Sequence, residues 1–343
     1  MEWFALPGAI DRSAERCAFP IPHDDHLDSC MSIELQNLVA ELEANMSQVV
    51  LGKREVVRLC IVALLAGDHV LLEDVPGVGK TLIGKALAKS VSGTFCRIQF
   101  TADLLPSDIT GGNVFNPQSG QFVHTRGPIF GNIILADEIN RTPPRTQSAL
   151  LEAMSDAQVS SDGQTFPLPQ PFMVIATQNP FEFEGTYPLP ESQLDRFLLR
   201  IGVGYPERDD ELQVLASHRA GEPIDSLNPV LDPSQIVALQ HGVRQVTVDE
   251  SINTYLLDIV EATRNCEDLR VGVSTRGALC LYRASQALAV VENRDFVIPD
   301  DVKRLAVPVL SHRIIAKGYM QGMHRPMLES LVTRLVEDIR VPR

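Results

Sequence analysis

The sequence predicts an α/β protein in which a three-layer core around a parallel sheet is followed by a small all-helical domain. Three observations support this class. The chain has 343 residues, which is more than one ordinary core holds. Short apolar runs alternate with helical segments up to about residue 205, and only helical periodicity follows beyond about residue 233. Two folded domains are therefore expected.

The domain boundaries follow from changes in pattern along the chain. Residues 1–31 show no sustained periodicity and contain three prolines, so we expect a flexible tail or a misassigned start there. Apolar residues recur at helical spacing from Ser32, which places the core domain at 32–205. A stretch containing several prolines predicts a linker at 206–233, and the helical domain is expected at 234–343.

Five apolar runs of the core domain have the length and composition of buried strands. They are 69–73, 96–100, 132–136, 172–177 and 197–203. Two insertions, at 111–128 and 157–167, are predicted to form hairpins because short turn sequences separate their apolar residues. Decoration of the surface is the alternative role for both. Helices are predicted at 236–243, 252–261, 275–291 and 327–339.

Composition limits the function classes. The 30 Lys and Arg residues against 44 Asp and Glu give a net charge of −14, which disfavours a protein that gains affinity by neutralising many phosphates of nucleic acid. No apolar run reaches the length of a membrane span, and six cysteines without a C-x-x-C pair indicate reduced thiols. We expect a cytoplasmic protein without direct membrane insertion.

The strongest motif is a phosphate-binding loop. A strand-like run at 70–73 leads into the segment DVPGVGKT at 74–81, and an amphipathic segment follows. Gly77 and Gly79 would let backbone N–H groups converge on phosphates. Lys80 would reach the β- and γ-phosphates, and the Thr81 hydroxyl would ligate Mg²⁺. The residues expected to contact the nucleotide here are Pro76, Gly77, Val78, Gly79, Lys80, Thr81 and Leu82.

Asp74 stands where the general phosphate-loop pattern, G-x-x-x-x-G-K-[ST], has its first glycine. Only the fine geometry of the loop is affected by this difference, because the remaining residues and the flanking strand and helix are in place.

Two acidic residues end a later apolar run. Asp137 would hold Mg²⁺ through water, and Glu138 would polarise the water that attacks the γ-phosphate. Asn179 ends the next strand-like run, where its amide could orient that water. Together with the phosphate loop, these residues predict a Mg²⁺-dependent nucleoside triphosphatase.

With these residues in place, the sequence resembles the MoxR family of AAA+ ATPases from about Ser32 to the C-terminus. The segments that carry the resemblance are LLEDVPGVGKT at 71–81, FTADLLPSDITG at 100–111, GPIFGNIILADEINRTPPRTQSALLEAM at 127–154, VIATQNPFEFEGTYPLPESQLDRF at 174–197 and GVSTRGAL at 272–279.

The resemblance implies an AAA+ core with a helical lid, ATP in the cleft between them, and a ring that is typically a hexamer. It places Lys80 and Thr81 in Walker A, Asp137 and Glu138 in Walker B, and Asn179 at sensor 1. It assigns Arg196 as the arginine finger for a neighbouring subunit and Arg276 as sensor 2; an ordinary surface ion pair is the alternative for each. The segment from Val50 to Gly52 would contact adenine.

The implied function is chaperone-like remodelling in the maturation of protein complexes or in metal insertion, with a von Willebrand A domain protein as partner. The two hairpins would face the ring pore or that partner. Three other functions stay open: a nucleic-acid motor of the same AAA+ branch, the ATPase subunit of a metal chelatase, and a nucleotide switch with negligible turnover.

Overall fold

The computed structural model describes residues 28–75, 77–118, 120–161, 163–180, 185–217, 221–318 and 325–342. Most of the predicted tail lies outside these described residues, and so does Pro76 of the predicted phosphate loop. The helix α1 spans Asp28–Ser47, so helical structure begins a few residues before Ser32.

The strands comprise a central set and three short pairs. In chain order they are β1 (Val70–Glu73), β2 (Phe95–Gln99), β3 (Gly111–Asn116), β4 (Gln121–Arg126), β5 (Ile133–Asp137), β6 (Gln158–Ser161), β7 (Gln164–Pro167), β8 (Met173–Gln178), β9 (Leu199–Ile201), β10 (Leu269–Val271) and β11 (Ile315–Ala316). The five runs predicted as buried strands correspond to β1, β2, β5, β8 and β9.

The central sheet has the strand order β2-β5-β8-β1-β9, and all of its pairs are parallel. Its carboxyl ends therefore meet at one edge, and the end of β1, which leads into the phosphate loop, lies beside the end of β8. In open parallel sheets this edge is where ligands bind.

Helices cover both faces of the sheet and form the second domain. They are α2 (Arg54–Ala66), α3 (Lys80–Ser90), α4 (Pro106–Thr110), α5 (Pro144–Asp156), α6 (Glu191–Leu194), α7 (Arg208–Ser217), α8 (Pro233–Val243), α9 (Glu250–Asn265), α10 (Thr275–Val291), α11 (Pro299–Leu310) and α12 (Arg325–Asp338).

The strand side chains alternate between two apolar clusters because successive residues of a strand point to opposite faces. Leu72 and Ile175 belong to a cluster that includes α1, α2, α3 and the helical domain. Leu71 and Ala176 belong to the second cluster, which is completed by α5 and its neighbours. This arrangement confirms the three-layer α/β core.

Both insertions form antiparallel hairpins, β3–β4 and β6–β7. The ring of His124 on β4 stacks on Phe166 of β7 with 4.2 Å between centroids, so the two hairpins touch. Phe115 and Phe122 form an edge-to-face pair at the outer end of β3–β4 and are 51% and 71% exposed. The sequence predicts the turns of these hairpins at Ser119-Gly120 and Asp162-Gly163, and Ser119 and Asp162 lie outside the described residues.

The helical domain differs from expectation in three details. The predicted linker at 206–233 contains α7, and α11 was not predicted. The short strands β10 and β11 pair within this domain. The fold is nevertheless an α/β core followed by a helical lid, as the sequence predicted. Within the described part of the chain, no helix is both long and apolar enough to cross a membrane.

Side chains of the lid reach into the core at two points. The buried guanidinium of Arg313 donates to the Asp195 carboxylate at 2.9 Å and to the Phe197 carbonyl at 2.6 Å. Arg325, at the start of α12, donates to the Glu73 carbonyl at 2.9 Å. The second contact joins the lid to the strand that enters the phosphate loop.

Candidate nucleotide site

The loop between β1 and α3 has the backbone geometry of a phosphate site. Gly77 and Gly79 have φ angles of 83° and 87°, in the left-handed region that glycine adopts without strain. A Cβ on either residue would meet open space. α3 begins directly after the loop at Lys80, and the first turn of a helix leaves backbone N–H groups without helical partners. These groups can donate to phosphate oxygens.

Lys80 is held beside this loop by backbone carbonyls. Its Nζ lies 2.6 Å from the carbonyl oxygen of Asp74 and 3.5 Å from that of Gln178. Burial lowers the pKa of Lys80, and nearby carboxylates, Asp74 foremost, act in the opposite direction. A bound phosphate would add full negative charge next to this partly desolvated ammonium group.

Asp137 ends the fully buried strand β5, and both of its carboxylate oxygens have donors. The hydroxyl of Thr177 donates to Oδ1 at 2.6 Å. Arg97 donates to Oδ2 from Nη2 at 2.6 Å and from Nε at 3.2 Å. The carboxylate is therefore fixed in direction and carries a cationic partner.

Glu138 is oriented by its backbone and by two side chains. Its φ of 57° and ψ of 49° turn the chain sharply after β5, and its N–H donates to the Thr177 hydroxyl at 2.9 Å. The carboxylate accepts from Gln99 Nε2 at 2.9 Å and pairs with Arg141 Nε at 3.2 Å. Both of these donors lie on Oε2, so the other carboxylate oxygen can accept a proton from water.

A cavity of about 520 Å³ lies against these groups. Its volume is in the range of small-molecule sites, about 300–1,000 Å³. The structure brings together eight of the predicted site residues in its lining: Gly77, Gly79, Lys80, Thr81, Leu82, Asp137, Glu138 and Asn179. Val214 of α7 and Ile224 add an apolar wall.

The chemistry of this lining fits a nucleotide with Mg²⁺. The Thr81 hydroxyl and the Asp137 carboxylate border the same cavity, and both are oxygen ligands of the kind that Mg²⁺ prefers. The glycine loop leaves space for phosphates, and Lys80 supplies the cation beside them. The arrangement can hold a triphosphate and place a carboxylate, Glu138, near its end.

The predicted arginine finger, Arg196, and the predicted sensor 2 residue, Arg276, stand apart from this cavity, since its described lining includes neither of them. Arg196 donates to the Leu151 carbonyl and the Ser155 hydroxyl at the end of α5. Arg276, at the start of α10, lies 3.9 Å from the Asp195 carboxylate, with its side chain 51% exposed.

The segment predicted to contact adenine borders a different cavity. Val50 and Gly52 line a space of about 460 Å³ together with residues of α1, α2 and α10. α7 lies close to both segments: Val214 lines the first cavity, and the Asp210 carboxylate occupies the position that a Cβ on Gly52 would need. Val78, which the sequence predicted to contact the nucleotide, packs against the apolar core.

Sequence reasoning missed four side chains that contact the acidic pair: Arg97, Gln99, Thr177 and Arg141. A signal for the first two was available. They are polar residues two positions apart in the otherwise apolar run at 96–100, and such residues lie on one face of a strand. Thr177 lies two positions before Asn179 in the chain. Nothing in the local sequence indicates that its hydroxyl would face Asp137.

Two families of known domains match the chain. Residues 69–199 match the ATPase family associated with various cellular activities (AAA), and residues 261–334 match the AAA lid domain. These ranges correspond to the sheet domain and to most of the helical domain.

Similar proteins span nearly the same length. YeaC of Bacillus subtilis is 48% identical over 90% of this chain and 96% of its own length. Chaperone MoxR1 of Mycobacterium tuberculosis is 40% identical, over 86% of this chain and 80% of its own. The crystal structure of a putative ATPase from Cytophaga hutchinsonii superposes with a TM-score of 0.84 at 36% identity, covering 93% of this chain and all of that one.

Proposed function

The chain belongs to the MoxR family of AAA+ ATPases, and we propose that it hydrolyses ATP with Mg²⁺ and uses the cycle to remodel partner proteins. One observation carries the hydrolytic part of this proposal. The phosphate loop, the acidic pair and Asn179 come from separate strands and border one cavity. An ATPase needs these groups at one place.

In the proposed reaction the loop N–H groups and Lys80 bind the β- and γ-phosphates. Thr81 and Asp137 would hold Mg²⁺, which would supply positive charge against the phosphate oxygens. Glu138 accepts a proton from the attacking water, and the Asn179 amide orients that water. Thr177 positions both acids, because its hydroxyl contacts each of them.

We further propose that the active protein is a ring, typically a hexamer. The described lining of the cavity contains no arginine, whereas transition states of phosphoryl transfer are stabilised by a guanidinium supplied in cis or from a neighbour. Arg196 of a neighbouring subunit would supply that group. Arg276 would reach the γ-phosphate by a movement of the lid.

The proposed clients are protein complexes that need maturation or metal insertion, reached through a von Willebrand A domain partner in the cytoplasm. Support comes from the name of one relative, Chaperone MoxR1, and from the family resemblance. The two touching hairpins, with Phe115 and Phe122 exposed, are the proposed contact with the partner. A net charge of −14 disfavours nucleic acid in this role.

Glu138→Gln tests the hydrolytic proposal. We expect ATP binding near the wild-type level and turnover reduced by at least about 100-fold, since a general base contributes about 10²- to 10⁴-fold. Steady-state phosphate release and titration with a fluorescent ATP analogue measure the two quantities. Glu261→Gln, a change at an exposed lid residue, is the matched control. Wild-type turnover in Glu138→Gln would remove Glu138 as the base.

The same variant tests the partner. Tagged Glu138→Gln held in ATP should retain a von Willebrand A domain protein and its client from the native lysate more strongly than wild type in ADP, because slow hydrolysis populates the partner-bound state. Retention of replication or repair proteins instead would favour a nucleic-acid motor.

Light scattering of the protein in the presence of ATP measures the number of subunits in the proposed ring.

A further inference from the structure

The chain between β9 and α7, residues 202–207, leaves the sheet and runs toward the helical domain, and we call it the crossing segment. Its Gly204 N–H donates to Asp74 Oδ2, and its Tyr205 carbonyl accepts from Lys53 Nζ at 2.7 Å. Asp74 begins the predicted phosphate loop, and Lys53 follows the segment predicted to contact adenine. The crossing segment is therefore tied to both sides of the predicted site.

Each oxygen of the Asp74 carboxylate has a backbone donor. Oδ1 accepts from the Val75 N–H at 2.7 Å, within the phosphate loop, and Oδ2 accepts from Gly204 on the crossing segment. The general phosphate-loop pattern has glycine at this position, and glycine would leave both N–H groups without this acceptor. Asp74 thus adds a contact that the general loop lacks.

Apolar packing holds only the first part of the crossing segment. Val203 is 5% exposed and belongs to the same apolar cluster as Leu72. Gly204 and Tyr205, which follow it, are exposed. From Gly204 onward, the hydrogen bonds with Asp74 and Lys53 therefore replace burial as the restraint on the backbone.

The position of α7 depends on polar contacts of this kind. α7 has no buried residue, so the apolar packing that places most surface helices contributes little here. In its first turn, the Asp210 carboxylate occupies the space that a Cβ on Gly52 would need. One turn later, Val214 lines the candidate nucleotide cavity. Restraints at the start of α7 therefore determine where one wall of that cavity lies.

We propose that Asp74 is a positioning residue that holds the crossing segment, and with it α7, against the bound nucleotide. The inference rests on the proposed function, because it takes the cavity beside the phosphate loop as the ATP site. In this role Asp74 acts through Gly204 and takes no part in the chemical step. Its loss should therefore weaken nucleotide binding more than it slows turnover at saturating ATP.

Two variants release the crossing segment at different contacts. Asp74→Ala removes the acceptor for the Gly204 N–H. Lys53→Met removes the donor to the Tyr205 carbonyl and leaves the Asp74 carboxylate in place, so it separates the crossing segment from the phosphate loop.

Three measurements are made on each variant of the full chain. Hydrogen–deuterium exchange of the free protein over residues 202–217 reports local opening of the crossing segment and α7, and it involves no nucleotide. Titration with a fluorescent ADP analogue gives a dissociation constant without turnover. Phosphate release at saturating ATP gives the turnover rate.

We expect each variant to speed exchange over residues 202–217 and to weaken binding of the analogue, in both cases by about fivefold, the usual effect of losing one hydrogen bond. Turnover at saturating ATP should fall by less than the affinity does. Exchange over the buried strand β5 should stay at the wild-type rate. Lys317→Met, a change at an exposed lysine after β11, is the control.

Weaker binding in Asp74→Ala with wild-type exchange over residues 202–217 would overturn the proposal, because Asp74 would then act only within the phosphate loop. Faster exchange with unchanged binding, in either variant, would also overturn it, since the position of the crossing segment would not matter to the nucleotide. A larger loss of turnover than of affinity in Asp74→Ala would place Asp74 in the chemical step instead.

Should Asp74→Ala fail to fold, Asp74→Asn takes its place, because the amide keeps the size of the side chain and has one acceptor atom for two N–H groups. Failure of the proposed function has a different signature. Wild type would then not bind the ADP analogue, whereas exchange over residues 202–217 would still respond to the loss of the Asp74 carboxylate.

Discussion

At the scale of single residues, the hydroxyl of Thr177 joins the two acids at the site. It donates to Asp137 Oδ1 at 2.6 Å and accepts from the Glu138 N–H at 2.9 Å. Thr177 is completely buried, so no water can replace these bonds. One side chain from β8 thus sets the direction of the metal-binding carboxylate and the turn that carries the base.

Thr177→Val tests this arrangement. Valine keeps the shape and leaves two polar groups without their partner, so the free energy of unfolding should fall by about 2 kcal/mol. ATP turnover should fall at least about tenfold, since a loss of roughly 1.4 kcal/mol at the transition state has that effect. Urea denaturation and phosphate release measure the two quantities.

Thr177→Ser is the matched control because it retains the hydroxyl and should keep most of the turnover. Equal activity in Thr177→Val and wild type would show that the acids orient themselves without this residue.

At the scale of an element, α10 shows how a helix terminus places a functional side chain. The Ser274 hydroxyl accepts from the Gly277 N–H at 3.1 Å, so the helix begins at Thr275. Gly277 is tightly packed within the lid, because a Cβ at this position would clash with Val273 and Arg313. The cap and this close contact hold the first turn, which carries Arg276 toward Asp195.

Removing the cap should therefore destabilise the folded protein. Ser274→Ala is expected to lower the free energy of unfolding by about 1 kcal/mol, the usual effect of losing an N-cap. Chemical denaturation measures it, and Ser274→Asp should restore the wild-type value because aspartate also caps helices. No difference between Ser274→Ala and wild type would mean that packing alone defines the start of α10.

Two helices show where local patterns were insufficient. α7 has no buried residue, so its sequence lacks the apolar periodicity that identifies a surface helix. α11 contains Pro308 near its end, and a proline inside a helical pattern predicts an interruption. In contrast, β5 and β8 are buried almost throughout, and their continuous apolar runs predicted them correctly.

At the scale of the whole molecule, buried polar groups join the lid to the core. Arg313 contacts Asp195, Phe197 and Leu198, and the ring of His312 lies 3.0 Å from the Phe197 carbonyl.

A second buried histidine lies within the core. His69 Nδ1 accepts from the Val174 N–H at 3.0 Å, and its Nε2 donates to the Met154 carbonyl at 3.0 Å. His69 is neutral in this arrangement, because a ring nitrogen that accepts a hydrogen bond carries no proton.

These histidines predict how stability depends on pH. Burial lowers the pKa of His69 below its ordinary value of 6.5, and burial with the adjacent Arg313 cation holds the pKa of His312 well below it. As the pH falls through about 6.5, the unfolded chain binds protons that the folded chain does not. Stability is therefore complete above about pH 7 and is lost as the pH falls, by at most about 1.4 kcal/mol per unit for each histidine.

Urea denaturation between pH 7.5 and 5.5 measures this dependence. His69→Gln should reduce the slope, because glutamine has no proton to gain in this range. If wild type were equally stable at both ends of the range, or if His69→Gln had the wild-type slope, the assignment of a neutral buried imidazole would be wrong.

The phosphate loop, the acidic pair and the α/β class could all be predicted from the sequence alone. Each depends on residues close together in the chain: a strand, a glycine loop and a helix in order, or an apolar run ending in two acids. Local backbone preference and side-chain chemistry are sufficient to recognise such features. The resemblance to the MoxR family depends on the same short segments.

The side chains that complete the site could be identified only from the three-dimensional fold. Arg97 and Gln99 meet the acids because β2 lies next to β5, and Thr177 meets them because β8 lies on its other side. Strand order and register arise from the burial of distant apolar residues against one another. Residues forty positions apart are brought within hydrogen-bond distance, and no local pattern encodes that pairing.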